Sequence, residues 1–179
     1  MSTTADPLEH VASAVMLKTQ EAELVMTSSE SQYPGIMGFV SAAGEMMTGE
    51  IRVWDSAQGM LISNAAPEII RHLGERRMVG AGFLFPLLLS FEEDEEYENE
   101  VHAFIRPSLQ VEILALVMFD KAVHEVNFSI VDRRNDRPPK MGPFTSSGQV
   151  IENCRLQLPQ DLVEGFLMPL QSVLVDFGD

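Results

Sequence analysis

The sequence predicts an α+β fold, in which a mainly antiparallel meander sheet carries an N-terminal helix and one or two further helices packed on it. Three observations predict this class. A helix-start signal occurs near the N-terminus, apolar or alternating runs fill the middle of the chain, and the connections between several of those runs are short. Short connections favour antiparallel neighbours, because a parallel crossover needs about a dozen residues or more.

The first predicted element is a helix from about Pro7 to Gln20. Asp6 is suited to cap it, Pro7 suits the first helical position, and Glu9 stands three residues after the cap, as in a capping box. Apolar residues then recur at helical spacing, at Leu8, Val11, Ala12 and Val15. The following segment, Glu21 to Met26, is compatible with either a continued helix or a strand.

A strand, a turn and a second strand are predicted over residues 51–54, 55–59 and 60–62. A second helix follows, with Asn64 as its cap and apolar residues at Ile69, Ile70 and Leu73. Gly74 or Gly80 is expected to end this helix, because glycine readily adopts the left-handed conformation of a helix C-terminus.

The middle of the chain predicts the meander. Its four runs are Phe83 to Phe91, Val101 to Arg106, Leu109 to Phe119 and Val123 to Val131. In the third run, both alternating sets of side chains are apolar, so both faces of that strand are expected to be covered. The acidic run Glu92 to Glu100 has seven carboxylates in nine positions. It is placed in the loop between the first two strands.

Residues 132–148 are predicted to form a long, mobile loop, because the segment is rich in Arg, Pro, Gly and Ser. A further strand over 150–158, a short helix from Gln160 and a last apolar stretch are expected to close the chain. The whole chain, 1–179, is expected to form a single globular domain.

Composition and charge narrow the class of protein. The chain is 45% hydrophobic, which is too apolar for a disordered protein, and its 27 acidic and 12 basic residues give a net charge of −15. The longest uncharged run, Met78 to Phe91, has fourteen residues. That is short of the roughly 20 that a membrane-spanning helix needs. The N-terminus lacks an export signal and Cys154 is the single cysteine, so we expect a cytoplasmic protein without membrane contact.

The sequence contains no pattern that is typical of a catalytic site. The four histidines lie on different predicted elements, without an HExxH motif or partner cysteines. Cys154 alternates with apolar neighbours, which is typical of a buried structural thiol. The Gly80-Ala81-Gly82 sequence lacks the third glycine of a dinucleotide loop and follows a predicted helix. We therefore expect no catalytic residue, no metal and no cofactor.

The main basic cluster is the candidate binding site. Single-strand binders combine a cationic groove with stacking aromatic side chains. The residues that fit this description are Arg133, Arg134, Arg137, Lys140, Phe144 and Trp54. The cluster suggests a single-stranded nucleic-acid binder, whereas the acidic run suggests a DNA mimic that occupies a DNA-binding protein.

The leading hypothesis is that the protein is a non-catalytic protein-interaction module, such as an adaptor, chaperone, inhibitor or assembly component. Its expected partners are a second copy of itself, in a homo-oligomer, or another protein, bound through sheet edges and apolar surface. The alternative is a nucleic-acid-directed protein of either kind described above. An enzyme whose site is assembled from scattered residues is the third possibility, because such a site leaves no local pattern.

Overall fold

A computed structural model describes residues 6–51, 54–55, 60–61, 65–90, 110–122, 124–133, 137–146 and 163–176. It confirms the α+β class. The described helices are α1 (Pro7–Leu24), α2 (Ala65–Arg76) and α3 (Met168–Ser172), the last of which follows a π-helical turn at Val163–Leu167. The strands are β1 (Gly35–Ser41), β2 (Met46–Ile51), β3 (Trp54–Asp55), β4 (Met60–Leu61), β5 (Met78–Ser90), β6 (Gln110–Asp120), β7 (His124–Asp132), β8 (Lys140–Met141) and β9 (Thr145–Ser146).

The main sheet has the order β2-β1-β5-β6-β7-β8, with β9 also paired to β7, and all neighbours are antiparallel. The strands β5, β6 and β7 form the predicted meander. The prediction placed a strand over Val101 to Arg106 between the first and third runs. This order is wrong, because β5 and β6 pair directly from Gly80↔Asp120 to Ser90↔Gln110. That run, the acidic run and 150–158 lie outside the described residues.

Helix α1 begins as the sequence predicts. The Asp6 carboxylate accepts a hydrogen bond from the Leu8 amide at 3.0 Å, and Pro7 occupies the first turn. The helix continues to Leu24. The segment Glu21 to Met26, for which the sequence allowed either a helix or a strand, is therefore helical as far as Leu24. Helix α2 ends at Arg76 and not at Gly74 or Gly80, because Arg77 itself takes the left-handed conformation, with φ 52°.

The sheet carries an apolar core on each face. Along β6, Ile113, Ala115, Val117 and Phe119 belong to the core that also contains Leu73 of α2 and Leu170 of α3. The intervening Leu114, Leu116 and Met118 belong to the core beneath α1. This confirms the prediction that both faces of the strand are covered. Val11 and Val15 of α1 are fully buried against this second face.

Two short strands lie inside the segment predicted as a long loop. Both β8 and β9 pair with β7, and the buried Ser129 hydroxyl donates a hydrogen bond to the Gly142 carbonyl at 2.9 Å. The predicted hairpin before α2 is also present, since Trp54 pairs with Leu61 and Asp55 with Met60. In the described part of the chain, no helix has both the length and the apolar character needed to cross a membrane.

Candidate interaction surfaces

Arg133, the first residue of the predicted basic site, has its guanidinium turned into the protein. Its Nη2 donates to Glu112 Oε1 at 2.9 Å, and its Nε donates to the other oxygen of the same carboxylate. Nη1 donates to the Ser29 carbonyl at 2.7 Å. The side chain is 12% exposed. Three of its N–H groups are therefore bonded within the protein, and they tie the end of β7 to β6 and to the loop after α1.

The Glu112 carboxylate also affects the ionisation of Arg133. The hydrogen bonds that Arg133 donates to the Glu112 carboxylate raise the guanidinium pKa, and this outweighs the opposing effect of burial. Arg133 is thus held in its charged form inside a fork-shaped ion pair. Such two-bond pairs fix orientation as well as charge, so we assign Arg133 a structural role in this place.

A second polar contact joins α1 to β8. Glu23 Oε1 accepts hydrogen bonds from the buried Tyr33 hydroxyl and from the Met141 amide, each at 2.7 Å. The Tyr33 hydroxyl also lies 3.3 Å from the Pro139 carbonyl. Burial first, and then the Glu23 carboxylate, raise the pKa of Tyr33 far above its ordinary value. Glu23, through Met141, and Tyr33, through Pro139, therefore hold residues 139–141 against the end of the first helix.

The remaining members of the predicted basic site are dispersed. Arg137 and Lys140 are exposed, Phe144 is half-buried and packs against the core beneath α1, and Trp54 lies in the β3–β4 hairpin. Arg134 and the Trp54 side chain lie outside the described residues. The described members offer two exposed cations and no fully exposed aromatic ring, and their role as a nucleic-acid site stays a prediction.

The outer face of α1 carries an apolar stripe that the sequence predictions missed. Leu17 is 58% exposed, Leu24 is 84% exposed and Val25, at the helix end, is 76% exposed. Leu17 and Leu24 are seven residues apart, which is two helical turns, so they lie on one face. Val11 and Val15 point the other way, into the sheet. We call Leu17, Leu24 and Val25 the α1 stripe.

The α1 stripe includes three of the five large apolar side chains that are exposed among the described residues. The other two are Met47 of β2 and Met168 of α3. Scattered single apolar residues are common on protein surfaces, whereas exposed apolar side chains grouped on one helix face form a candidate contact surface. The signal was present in the sequence as two leucines a heptad apart, opposite the buried valines.

The described residues contain no group of three or more His, Cys, Asp or Glu side chains placed to hold a metal ion. Cys154, His102 and Glu92 to Glu100 lie outside them. The predicted glycine pair at Gly80 and Gly82 lies within β5, beneath α1.

Comparison with known proteins gives no match: no family model, no curated protein and no solved structure is similar to this chain.

Proposed function

We propose that this protein is a non-catalytic interaction module that binds a protein partner and associates with itself. The α1 stripe carries the first part of this proposal, the binding of a protein partner. Leu24 and Val25 leave most of their surface in water, although the opposite side of the same helix is fully buried. Exposed apolar area is unfavourable by about 25 cal/mol per Å², so a partner that covers the stripe gains binding energy.

The proposal assigns the α1 stripe to a second protein, which docks an apolar segment along the helix. The stripe spans about 12 Å from Leu17 to Val25 at the helical rise per residue, which is enough for two or three apolar side chains of a partner. Lys18 and Glu21 lie beside it and form an exposed ion pair at 3.8 Å. Polar neighbours of this kind are typical of the rim of an interface.

The first experiment is molar mass in solution by light scattering, at low salt and at roughly 0.5 M salt, where surface charges are strongly screened. We expect a defined multiple of the 19.9 kDa chain that persists at the higher salt. A mass of one chain at every concentration and salt would contradict the self-association.

Two variants then test the assignment of the α1 stripe. Leu17→Ser with Leu24→Ser removes apolar surface, and Ser13→Ala with Gln20→Ala is the control on exposed positions of the same helix. We expect the first variant alone to reduce the fluorescence of a dye that binds accessible apolar surface. Its oligomer mass should equal that of the wild type. A fall in mass would show that the stripe contacts a second copy instead of another protein.

Nucleic-acid binding through the basic loop is the competing proposal. Arg137 and Lys140 support it, because both are exposed and stand three residues apart at the start of β8. Arg137→Ala with Lys140→Ala is the test, since neither side chain is part of the Arg133 ion pair. A salt-sensitive affinity for single-stranded DNA that these changes abolish would favour this alternative.

A further inference from the structure

The two outer edges of the described sheet are built differently. At one end, the edge consists of two strands of two residues each, β8 (Lys140–Met141) and β9 (Thr145–Ser146), and Pro138 and Pro139 directly precede β8. Short length, lysine and proline are the features by which proteins prevent a sheet edge from pairing with another chain. This edge is therefore protected against association.

At the other end, β2 has none of these features. It extends over six residues, Met46–Ile51, contains no proline and no lysine, and Glu50 is its single charge. In the described chain, β1 is the one strand that pairs with it. Met47, one of the exposed apolar residues noted above, lies on this edge. Residues Met46 to Gly49 carry no charge of their own, and the cation that contacts this edge in the described chain is Arg76, whose Nη1 donates to the Met47 sulfur at 3.1 Å. A six-residue, partly apolar edge of this kind is suited to strand addition.

The hydrogen-bond pattern identifies which groups of β2 are available. The Ser41 amide donates to the Glu45 carbonyl at 2.9 Å, so this is a hydrogen-bonded pair of the β1–β2 ladder. Hydrogen-bonded and non-hydrogen-bonded pairs alternate along an antiparallel ladder. Met47 and Gly49 therefore direct their backbone groups toward β1, whereas Met46, Thr48 and Glu50 direct theirs outward.

We propose that a second copy of this chain pairs with β2, edge to edge and antiparallel, about a twofold axis at Thr48. This inference rests on the self-association proposed above and assigns its surface. The outward backbone groups of the two copies can hydrogen-bond to each other only when the twofold axis passes through a residue of β2. An axis that passes between two residues would set outward groups against inward ones. Axes at Thr48 and at Gly49 pair the most residues, five from each copy. The Thr48 axis sets threonine against threonine, a favourable cross-strand pair, whereas the Gly49 axis sets glycine against glycine.

Charge also fits a second copy in this register. Glu50 lies opposite Met46 of the second copy, so the two glutamates do not oppose each other across the axis. Like charges directly opposite one another would destabilise the pair. The Met47 side chain lies opposite Gly49 of the second copy, which has no side chain to oppose it.

Cysteine cross-linking tests the position of the axis, in a background in which Cys154→Ala removes the native thiol. Thr48→Cys should form an interchain disulfide under mild oxidation, because hydrogen-bonded partners lie about 5.5 Å apart at Cα, within the range of disulfides. Gly49→Cys should not, because its two copies are offset by about two residues along each strand. Gln20→Cys, exposed on α1, is the control. Cross-linking at Gly49 or Gln20 but not at Thr48 would overturn the proposal.

A charge variant tests the same contact without cross-linking. Thr48→Lys places two lysines against each other at the axis, and Gln20→Lys adds the same charge on α1. We expect Thr48→Lys to raise the dissociation constant of the oligomer at least about tenfold, with the unfolding midpoint of the monomer unchanged. An oligomer that survives Thr48→Lys overturns the β2 assignment and leaves self-association standing. A monomeric wild type overturns both.

Discussion

Gly38 of β1 lies directly opposite Gly82 of β5, and the pair forms the surface on which α1 rests. A Cβ atom at Gly82 would lie 2.4 Å from the Val11 Cγ1 atom, and one at Gly38 would lie 2.8 Å from the Val15 Cγ2 atom. Both valines are fully buried. The absence of two side chains on neighbouring strands thus sets how closely the helix approaches the sheet.

Gly82→Ala is expected to destabilise the protein by about 1–3 kcal/mol, because the added methyl group must push Val11 and α1 away from the sheet. Gly74→Ala is the matched control, since nothing lies within 4 Å of the added atom and Gly74 is inside α2. That change should stabilise the protein by up to about 1 kcal/mol through helix propensity. Urea unfolding of both variants provides the measurement, and equal stability of Gly82→Ala and wild type would contradict the packing described.

Alkaline conditions are expected to destabilise the protein through Tyr33. Burial, together with the hydrogen bond to Glu23, raises the pKa of Tyr33 in the folded state above the value of about 10 for an unfolded chain. Below pH 10 both states keep the proton, so this contribution to stability is fully present. As the pH rises further, the unfolded state loses the proton first, and the free energy of unfolding falls.

Absorbance titration of the phenol groups gives the measurement for Tyr33. The chain has two tyrosines, and the wild type should contain one that ionises only as the protein unfolds. Tyr33→Phe should remove that transition and reduce the slope of stability against pH above 10. A normal titration of Tyr33 in the folded protein would show that its hydroxyl is not held by Glu23.

Arg133→Ala is expected to cost about 1–3 kcal/mol of stability, because it leaves the partly buried Glu112 carboxylate and the Ser29 carbonyl without their donor. Arg137→Ala with Lys140→Ala should change stability by no more than about 0.5 kcal/mol, since both side chains are exposed. Chemical denaturation compares the two. A neutral Arg133→Ala would contradict the structural role assigned to the Arg133–Glu112 ion pair.

The parts of the fold that follow from local pattern were predictable. The N-terminal helix has its cap and its apolar spacing within ten residues, and the alternation along β6 requires only that each face be apolar. The pairing of β3 with β4 follows from the turn signal in the sequence between them. The insertion of β1 between β2 and β5 was not predictable, because it depends on a pairing between strands more than thirty residues apart.

The candidate sites also divide into features that follow from local sequence pattern and features that depend on distant residues. The exposed leucines of α1 follow from helical spacing once the buried side is known, and the unprotected character of β2 is visible in its composition. The inward turn of Arg133 was not predictable, because its partner Glu112 lies 21 residues away and the cluster around it resembles a surface patch. Long-range ion pairs leave no trace in local charge patterns.

The position of α1 has a consequence for synthesis of the chain. This helix is the first described element to leave the ribosome, yet its sheet-facing valines rest on β5, which is made only after α2. Most of the stability of a helix in a protein comes from the packing of its apolar face, which this 18-residue helix lacks until β5 is made. Until β5 has been synthesised, Val11 and Val15 are exposed on one side of the helix, and Leu17 and Leu24 are exposed on the other. The nascent chain therefore exposes apolar side chains on both sides of this segment, and such exposure favours aggregation until β5 covers the two valines.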